Sequence, residues 1–293
     1  MSAAALALVL AAALLHAFWN VVAKKTGGDA RFALMAALLL IVVWAPLGVW
    51  FGWQALPQWG AVEWAVLLAS AIVHVVYFTT LLRGYRLADL TVVYPVARGT
   101  GPLLTTFGAI LWLGERLSAV AAVGVAGVAI GVFFIAGGPT LWAKAHDPLQ
   151  RERVRAGLLW GGLTGALIAG YTLIDGYAVK VLLISPILVD YVGNLLRVPF
   201  LLPAALRDRG GFAVLWRSQW RSALVVAVLG PMSYVLVLYA VQMAPLSHVA
   251  PAREVSMLFA ALIGGRLLGE KDRATRLVGA ACIAGGVAAL ALG

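Results

Sequence analysis

The chain has 293 residues, of which 63% are hydrophobic and only 12% are charged, and its mean hydropathy is +0.96. This composition excludes an ordinary soluble globular domain and indicates that a lipid bilayer is the solvent. The formal net charge of +10 does not indicate a nucleic-acid-binding protein, because the basic residues lie in short segments between apolar stretches rather than on one soluble basic face.

Ten apolar stretches follow one another along the chain, each long enough to cross a membrane as a helix. A membrane-spanning helix needs about 20 mainly apolar residues, whereas a strand of a membrane barrel alternates over about 10. The sequence therefore predicts an all-α integral membrane protein with about ten transmembrane helices. The predicted spans, in chain order, are 3–23, 30–52, 61–83, 90–113, 117–137, 156–179, 184–206, 222–243, 246–268 and 274–292.

Positive charge is distributed unevenly between the two ends of these spans. The odd-numbered loops carry sixteen Lys and Arg residues, whereas the even-numbered loops and the termini carry two, Arg116 and Lys180. Because cytoplasmic loops are enriched in Lys and Arg, we expect the odd loops in the cytoplasm and both termini outside. No basic residue precedes the first span, and Lys24 and Lys25 follow it, which favours a permanent helix over a cleaved signal peptide.

Matching residues recur in the two halves of the chain. Arg98 and Arg253 each follow a proline closely, and in both copies a Gly-Glu pair begins sixteen residues after the arginine. One deletion between the proline and the arginine of the second copy is all that the alignment requires. The equivalent pairs are Asn20 and Asp175, Lys25 and Lys180, Pro95 and Pro251, Arg98 and Arg253, Gly114-Glu115 and Gly269-Glu270, Gly124 and Gly279, and Gly131 and Gly286.

The duplicated unit contains five predicted spans, an odd number, so the second copy enters the membrane with the opposite orientation. The sequence thus predicts an inverted repeat, which in secondary transporters places a substrate site near the midplane between the halves. We assign 1–137 to the first five-helix repeat, 138–155 to a polar cytoplasmic linker and 156–293 to the second, inverted repeat.

These features resemble a known family of carriers. Two five-helix units, with the runs Leu113-Gly114-Glu115-Arg116 and Leu268-Gly269-Glu270-Lys271 each leading into a Gly-rich last helix, are similar to the drug/metabolite transporter superfamily, and to its EamA-type members in particular. The resemblance covers nearly the whole chain. It implies a multi-pass carrier in the cell (inner) membrane that works without ATP hydrolysis and often exports amino acids or related metabolites. Familiar members keep both termini in the cytoplasm, the reverse of the orientation that the charges predict here.

Polar side chains inside the spans are the candidates for substrate binding or gating, because a charge at a helix centre costs about 2.5–3.5 kcal/mol on insertion scales. Arg98 and Arg253 lead, since they occupy equivalent places near prolines, and we expect a proline-interrupted turn with freed backbone carbonyls beside each arginine. Alternatively, each arginine pairs with a carboxylate, Asp175 or Glu254, and only fixes the packing. The remaining candidates are polar or aromatic residues within the spans: His16, Trp19, Asn20, His74, Tyr77, Tyr94, Tyr171 and Tyr234.

Other polar residues are predicted to serve structure. We expect Asp190 and His248 to snorkel to a membrane interface, and Asn20 and Asn194 to form hydrogen bonds between helices. The glycine of each Gly-Glu pair suits a turn, and its glutamate suits the amino end of the following helix. The glycines of the last span in each copy suit close helix packing.

Taken together, these patterns favour a secondary transporter, an exporter of small metabolites such as neutral or aromatic amino acids, that works by alternating access between inverted repeats. An intramembrane enzyme is disfavoured, because the sequence contains no Gly-x-Ser-x-Gly, His-Glu-x-x-His, Cys-x-x-Cys or Walker lysine motif. A non-transporting scaffold would not need the duplication. We expect no catalytic residue, metal or cofactor. The expected partners are a small-molecule substrate and the lipid bilayer but not nucleic acid, and the sequence leaves the oligomeric state open.

Overall fold

The structure is a computed structural model that describes residues 1–26, 29–88, 90–135, 138, 151–260 and 273–293. Within these ranges there is no strand, which confirms the predicted all-α class. A short 3₁₀ turn covers Leu56–Gln58, and residues 255–260 are also helical. The numbered helices are α1 (Ala3–Thr26), α2 (Ala30–Ala55), α3 (Ala61–Leu87), α4 (Leu90–Trp112), α5 (Ala119–Ile135), α6 (Arg151–Lys180), α7 (Pro186–Leu206), α8 (Arg209–Met243), α9 (Leu246–Ala252) and α10 (Arg273–Leu292).

Six of these helices, α1 to α3 and α6 to α8, are long and apolar enough to cross a membrane. Two of them begin earlier than predicted, α6 at Arg151 and α8 at Arg209. Hydropathy marks only the part of a helix that lies in hydrocarbon. The helical hydrogen bonds of α6 and α8 begin earlier, in polar turns that precede the apolar segment. Most of the predicted linker, residues 139–150, lies outside the described residues.

The fourth span differs between the two halves. In the second half α9 ends at Ala252, residues 253 and 254 form a turn, and helix resumes at 255, while 261–268 lie outside the described residues. The prediction of a proline-interrupted turn beside Arg253 is therefore right. The same expectation beside Arg98 is wrong, because α4 is continuous through Pro95 and Pro102. Close packing against α6 stabilises the segment of α4 between the two prolines. A Cβ on Gly165 of α6 would lie 3.1 Å from the backbone nitrogen of Gly101.

The last helices of the two halves, α5 and α10, touch through glycines. A Cβ on Gly124 would lie 2.8 Å from the carbonyl oxygen of Gly286, and one on Gly131 would lie 2.6 Å from that of Gly279. Only glycine allows such an approach between backbones, so the predicted packing role of these residues is confirmed. The contacts run in opposite sequence order, so the two equivalent helices are antiparallel, as an inverted repeat requires.

The first three helices of each half pack reciprocally between the halves. The helix α1 lies along α8, α3 lies along α6, and α2 lies along α7. Each first helix thus packs against the third helix of the other half, and the two second helices pack against each other. The largest buried apolar cluster includes Val9, Leu67, Leu188 and Leu246 and so joins both halves. The architecture of two inverted five-helix repeats is confirmed.

Alternate loops collect on opposite faces of the bundle. On one face the amino terminus donates to the carbonyl oxygen of Ala291 at 2.8 Å, and Glu115 contacts both Lys180 and the start of α9. That face, which we call the even-loop face, carries both termini and the loops before α5, α7 and α9. On the other face Arg31 pairs with Asp208 and thereby joins the first and seventh loops. This segregation agrees with the predicted order of spans.

Candidate functional site

Asp175 of α6 lies fully buried at the centre of a polar cluster. Its carboxylate accepts hydrogen bonds from the Ser70 hydroxyl of α3 and the Tyr234 hydroxyl of α8, both at 2.5 Å. Among the residues that the structure describes, no Lys, Arg or His lies within ion-pair distance of it. We call Ser70, His74, Tyr171, Asp175 and Tyr234 the Asp175 cluster; its members come from both halves.

Aromatic rings form one side of this cluster. The His74 ring stacks on Tyr171 with centroids 3.8 Å apart and planes 25° apart, and Tyr234 meets His74 edge-on at 6.2 Å. Tyr77 adds an edge contact to Tyr171 at 5.5 Å. Tyr171 is buried, whereas His74, Tyr77 and Tyr234 keep part of their surface exposed. Four predicted site residues, His74, Tyr77, Tyr171 and Tyr234, are therefore brought together.

Arg253 lies beside the same cluster, in the turn that follows α9. Its Cζ is 6.0 Å from the centroid of the Tyr234 ring, a cation–π distance. The residue is half-buried, and in the described ranges no carboxylate lies within ion-pair distance of it. Tyr234 thus contacts the Arg253 guanidinium with its ring and the Asp175 carboxylate with its hydroxyl.

Arg98 has different surroundings from its repeat equivalent. Its Nε lies 3.0 Å from Oε2 of Glu254, and another guanidinium nitrogen donates to the Ser256 hydroxyl at 3.0 Å. Neither Nε nor Oε2 has an aligned hydrogen bond, so proximity of charge holds this pair. The packing alternative that the sequence left open is thus found for Arg98, with Glu254 as the partner, and links the fourth spans of the two halves.

The candidates on α1 contact one another. His16 and Trp19 meet edge-on with centroids 5.0 Å apart, and the Asn20 amide donates to the His16 carbonyl at 2.8 Å. The Trp19 indole nitrogen is buried without a hydrogen-bond partner in the described residues. Tyr94 of α4 is exposed, and none of the described hydrogen bonds or ring contacts joins it to the Asp175 cluster.

Three polar residues of α7 were missing from the predicted site. Asp190, Asn194 and Arg197 follow one another at spacings of four and three, which places them on one helix face. The Arg197 guanidinium donates to the Asn194 side-chain oxygen at 3.5 Å, and its Nε is buried without an aligned partner in the described residues. The spacing of the three residues in the sequence could have identified them, because polar residues on one face of a membrane helix indicate that the face packs against protein rather than lipid.

Two expectations about intramembrane polar residues are wrong. Asp190 is 6% exposed and His248 is 4% exposed, so both are buried in protein instead of snorkelling to an interface. Asn20 and Asn194 donate to carbonyls four residues earlier in their own helices rather than between helices. The N–H group that each amide donates is thus satisfied within its own helix.

Glu115 connects three elements on the even-loop face. Gly114 before it has φ +66°, so the predicted glycine turn is present. The Glu115 carboxylate accepts from the Lys180 ammonium at 2.9 Å and from the backbone N–H groups of Leu246 and Ser247 at 2.7 and 2.8 Å. It therefore caps the amino end of α9. The expectation that it would cap the following helix, α5, is wrong. The equivalent Glu270 lies outside the described residues.

The electrostatics of this contact favour an ionised Glu115. Burial alone raises the pKa of its carboxyl, but the hydrogen bonds from Lys180, Ser247 and Leu246 outweigh burial and hold the pKa below its ordinary value. The contact is thus a charged link between the two halves.

Comparison with protein families settles the class of the protein. The model of the EamA-like transporter family matches residues 3–137 and again residues 155–292. The chain belongs to the EamA-like transporter family. The resemblance noted from the repeated Gly-Glu runs is thereby confirmed, and with it a multi-pass membrane protein of the drug/metabolite transporter type.

A solved crystal structure of another protein shares the fold of this EamA-like chain. It aligns with a TM-score of 0.73 over 100% of this chain and 98% of that chain, at 16% sequence identity. Identity this low shows a common fold alone. Among proteins of curated function, none matches the sequence. In the described part of the chain, no three His, Cys, Asp or Glu side chains converge to hold a metal ion.

Proposed function

We propose that the protein is a secondary transporter that exports small zwitterionic metabolites, first among them neutral and aromatic amino acids, across the inner membrane. Membership of a transporter family supports the transport step and favours it over an intramembrane enzyme or a scaffold. The substrate class is inferred from the chemistry beside the Asp175 cluster.

Arg253 carries the substrate proposal. It is a half-buried guanidinium inside the bundle, faces an aromatic ring, and in the described ranges has no carboxylate partner. A planar guanidinium recognises a carboxylate through two parallel hydrogen bonds, so the carboxylate of a substrate would supply the missing partner. The neighbouring rings of His74 and Tyr77 offer apolar faces to the substrate side chain.

Alternating access fits the inverted packing of the two halves. The Arg98–Glu254 pair and the Glu115 contacts each join one half to the other, so an exchange of conformations between the halves would break and remake them. Such an exchange needs no nucleotide and no covalent step.

The proposal is tested by transport in liposomes. Purified protein is reconstituted, and exchange of radiolabelled phenylalanine, leucine and alanine is compared with that of glucose and tetraphenylphosphonium. We expect exchange of at least one amino acid above protein-free liposomes, with Arg253→Gln reducing it. If only the sugar or the organic cation moves, the substrate class is wrong; if nothing in a wider metabolite panel moves, the transport proposal fails.

A further inference from the structure

Resting on the proposed transport function, we infer that Asp175 is a proton-binding site and that the proton is the ion coupled to substrate movement. The site is the Asp175 carboxylate together with its two hydroxyl donors, Ser70 and Tyr234. Phenylalanine stands for the substrate in the transport tests below.

The burial of Asp175 is the first step. The residue is 0% exposed, and in the described residues its only polar contacts are two neutral hydroxyl groups. An ionised carboxylate without a paired cation costs several kcal/mol inside a protein, and such a group takes up a proton instead. The buried carboxylate of Asp175 is accessible to a proton but not to a metabolite. Arg253 and Tyr234 are partly exposed and can contact a larger ligand.

The two hydroxyl donors allow the proton to leave again. Ser70 and Tyr234 stabilise the ionised carboxylate with two hydrogen bonds, while burial favours the neutral acid. Opposed influences of this kind suit a group that must both bind and release. The titratable and charged groups around the Asp175 cluster include His74 and Tyr77 of α3, Arg98 of α4, Tyr171 of α6, Asp190 and Arg197 of α7, Tyr234 of α8, and Arg253 after α9.

The hydrogen bonds connect proton binding to the packing of the two halves. An ionised carboxylate accepts from Ser70 and Tyr234 at once, but a carboxylic acid carries one O–H that must itself donate. When a proton from water adds to either oxygen of Asp175, the hydroxyl on that side has to turn and accept, or separate. Since Ser70 belongs to the first half and Asp175 to the second, the proton changes a contact between them. No other covalent bond changes.

The repeat provides a shape-matched comparison. Asn20 is the equivalent of Asp175 in the first half, and its amide has nearly the shape of the acid but takes up no proton at neutral pH. The acid is therefore particular to the second half. Asp175→Asn gives the two halves the same residue at this place and removes the proton site with little change in volume.

A measurement that requires no substrate tests the site itself. Difference infrared spectra of the detergent-purified protein between acid and alkaline pH report the carbonyl band of a protonated carboxylic acid. Because Asp190 and Glu254 are also buried acids, the assignment uses the part of the band that each variant removes. We expect Asp175→Asn to lose a component that the matched variant Asp190→Asn keeps. If Asp175→Asn loses no component, or if the native protein has no such band at any pH, Asp175 is not the proton site.

A second measurement tests coupling and separates it from transport. If one proton moves with each substrate, a pH gradient of one unit drives about tenfold accumulation or depletion of phenylalanine in proteoliposomes. We expect this for the native protein, and for Asp175→Asn we expect phenylalanine movement to lose its response to the gradient. Native exchange that ignores the gradient would overturn the proton inference and leave the transport proposal standing. Absence of exchange with every metabolite tested would overturn the transport proposal, and the infrared result would then decide the proton site alone.

Discussion

Arg98 and Arg253 occupy equivalent places in the two halves but do different things. Arg98 pairs with Glu254, whereas Arg253 faces the ring of Tyr234. The second copy has one residue fewer between its proline and its arginine, and one residue corresponds to a rotation of about 100° around a helix. This deletion and the turn at 253 and 254 change the direction of the Arg253 side chain, so it does not make the contacts that Arg98 makes.

The arginine difference predicts separable effects of removing each charge. Arg98→Gln leaves Glu254 buried and unpaired, and breaking a buried pair in this way costs about 3–5 kcal/mol. Arg253→Gln leaves no such group behind, so it should lower transport while the folded protein stays close to native stability. Thermal unfolding in detergent and liposome exchange measure the two effects.

A double variant that removes both charges of the Arg98–Glu254 pair provides the control. The double variant Arg98→Gln with Glu254→Gln replaces both charges by amides that can bond each other, so much of the lost stability should return. If Arg253→Gln unfolds as readily as Arg98→Gln, the second arginine is also a structural partner, and its assignment to the substrate is withdrawn.

At the scale of helices, the contact of α5 with α10 depends on missing side chains. A Cβ on Gly286 would lie 2.7 Å from the carbonyl oxygen of Gly124, while a Cβ on the adjacent Gly285 would meet nothing within 4 Å. The same helix therefore carries a constrained glycine and a free one side by side.

These neighbouring glycines give a matched pair of variants. Gly286→Ala should destabilise the protein by about 1–3 kcal/mol, because the two backbones must move apart. Gly285→Ala should be neutral or stabilising by up to about 1 kcal/mol, since alanine is the better helix former. Thermal unfolding of both in the same detergent checks this, and equal losses would show that the helices separate more easily than their packing indicates.

The Glu115 contact predicts a dependence on pH at the even-loop face. Because the pKa of Glu115 is held below its ordinary value of 4.5 in the folded protein, the stability it adds is fully present above that pH and is lost as the pH falls through the folded pKa. Glu115→Gln should lower stability by about 1.5–3 kcal/mol at neutral pH, the scale of hydrogen bonds to a charged group. Its difference from the native protein should shrink on acidification.

A second glutamate serves as the control for this effect. Glu63 accepts from the backbone N–H of Gly60 at 2.8 Å at an exposed position and makes no contact with the other half among the described residues. Glu63→Gln should therefore change thermal stability little at any pH. If Glu115→Gln were equally mild at neutral pH, the contact with Lys180 and α9 would not hold the halves together.

Considered as a whole molecule, the fold follows from the sequence more closely than the site does. Hydropathy locates the spans because it reports which segments avoid water. The repeated Gly-Glu and glycine spacings predict the duplication, and the odd number of spans in each copy predicts the inversion. Hydropathy does not distinguish a face turned to lipid from one turned to protein, so the burial of Asp190 and His248 was missed. The partner of Glu115 lies 131 residues away at Leu246, and no local pattern predicts such a contact.

The placement of loops on two faces supports a prediction about the orientation of the whole molecule. Both termini lie on the even-loop face, and the described odd loops around Arg31 and Asp208 lie on the opposite face. The sequence assigns sixteen cations to the odd loops. The charge rule then places the termini outside the cytoplasm, whereas the resemblance to familiar family members places them inside.

Reporter fusions decide between these orientations. Alkaline phosphatase, active only outside the cytoplasm, is fused to the carboxyl end, and a fluorescent protein, bright only in the cytoplasm, is fused there in a second version. We expect the phosphatase to be active and the fluorescent protein dark, because the positive odd loops resist translocation. The matched fusions placed after Arg207, in the seventh loop, should give the reverse pattern. A bright carboxyl-terminal fluorescent protein with inactive phosphatase would contradict the charge rule for this chain and place the Glu115 contact on the cytoplasmic face.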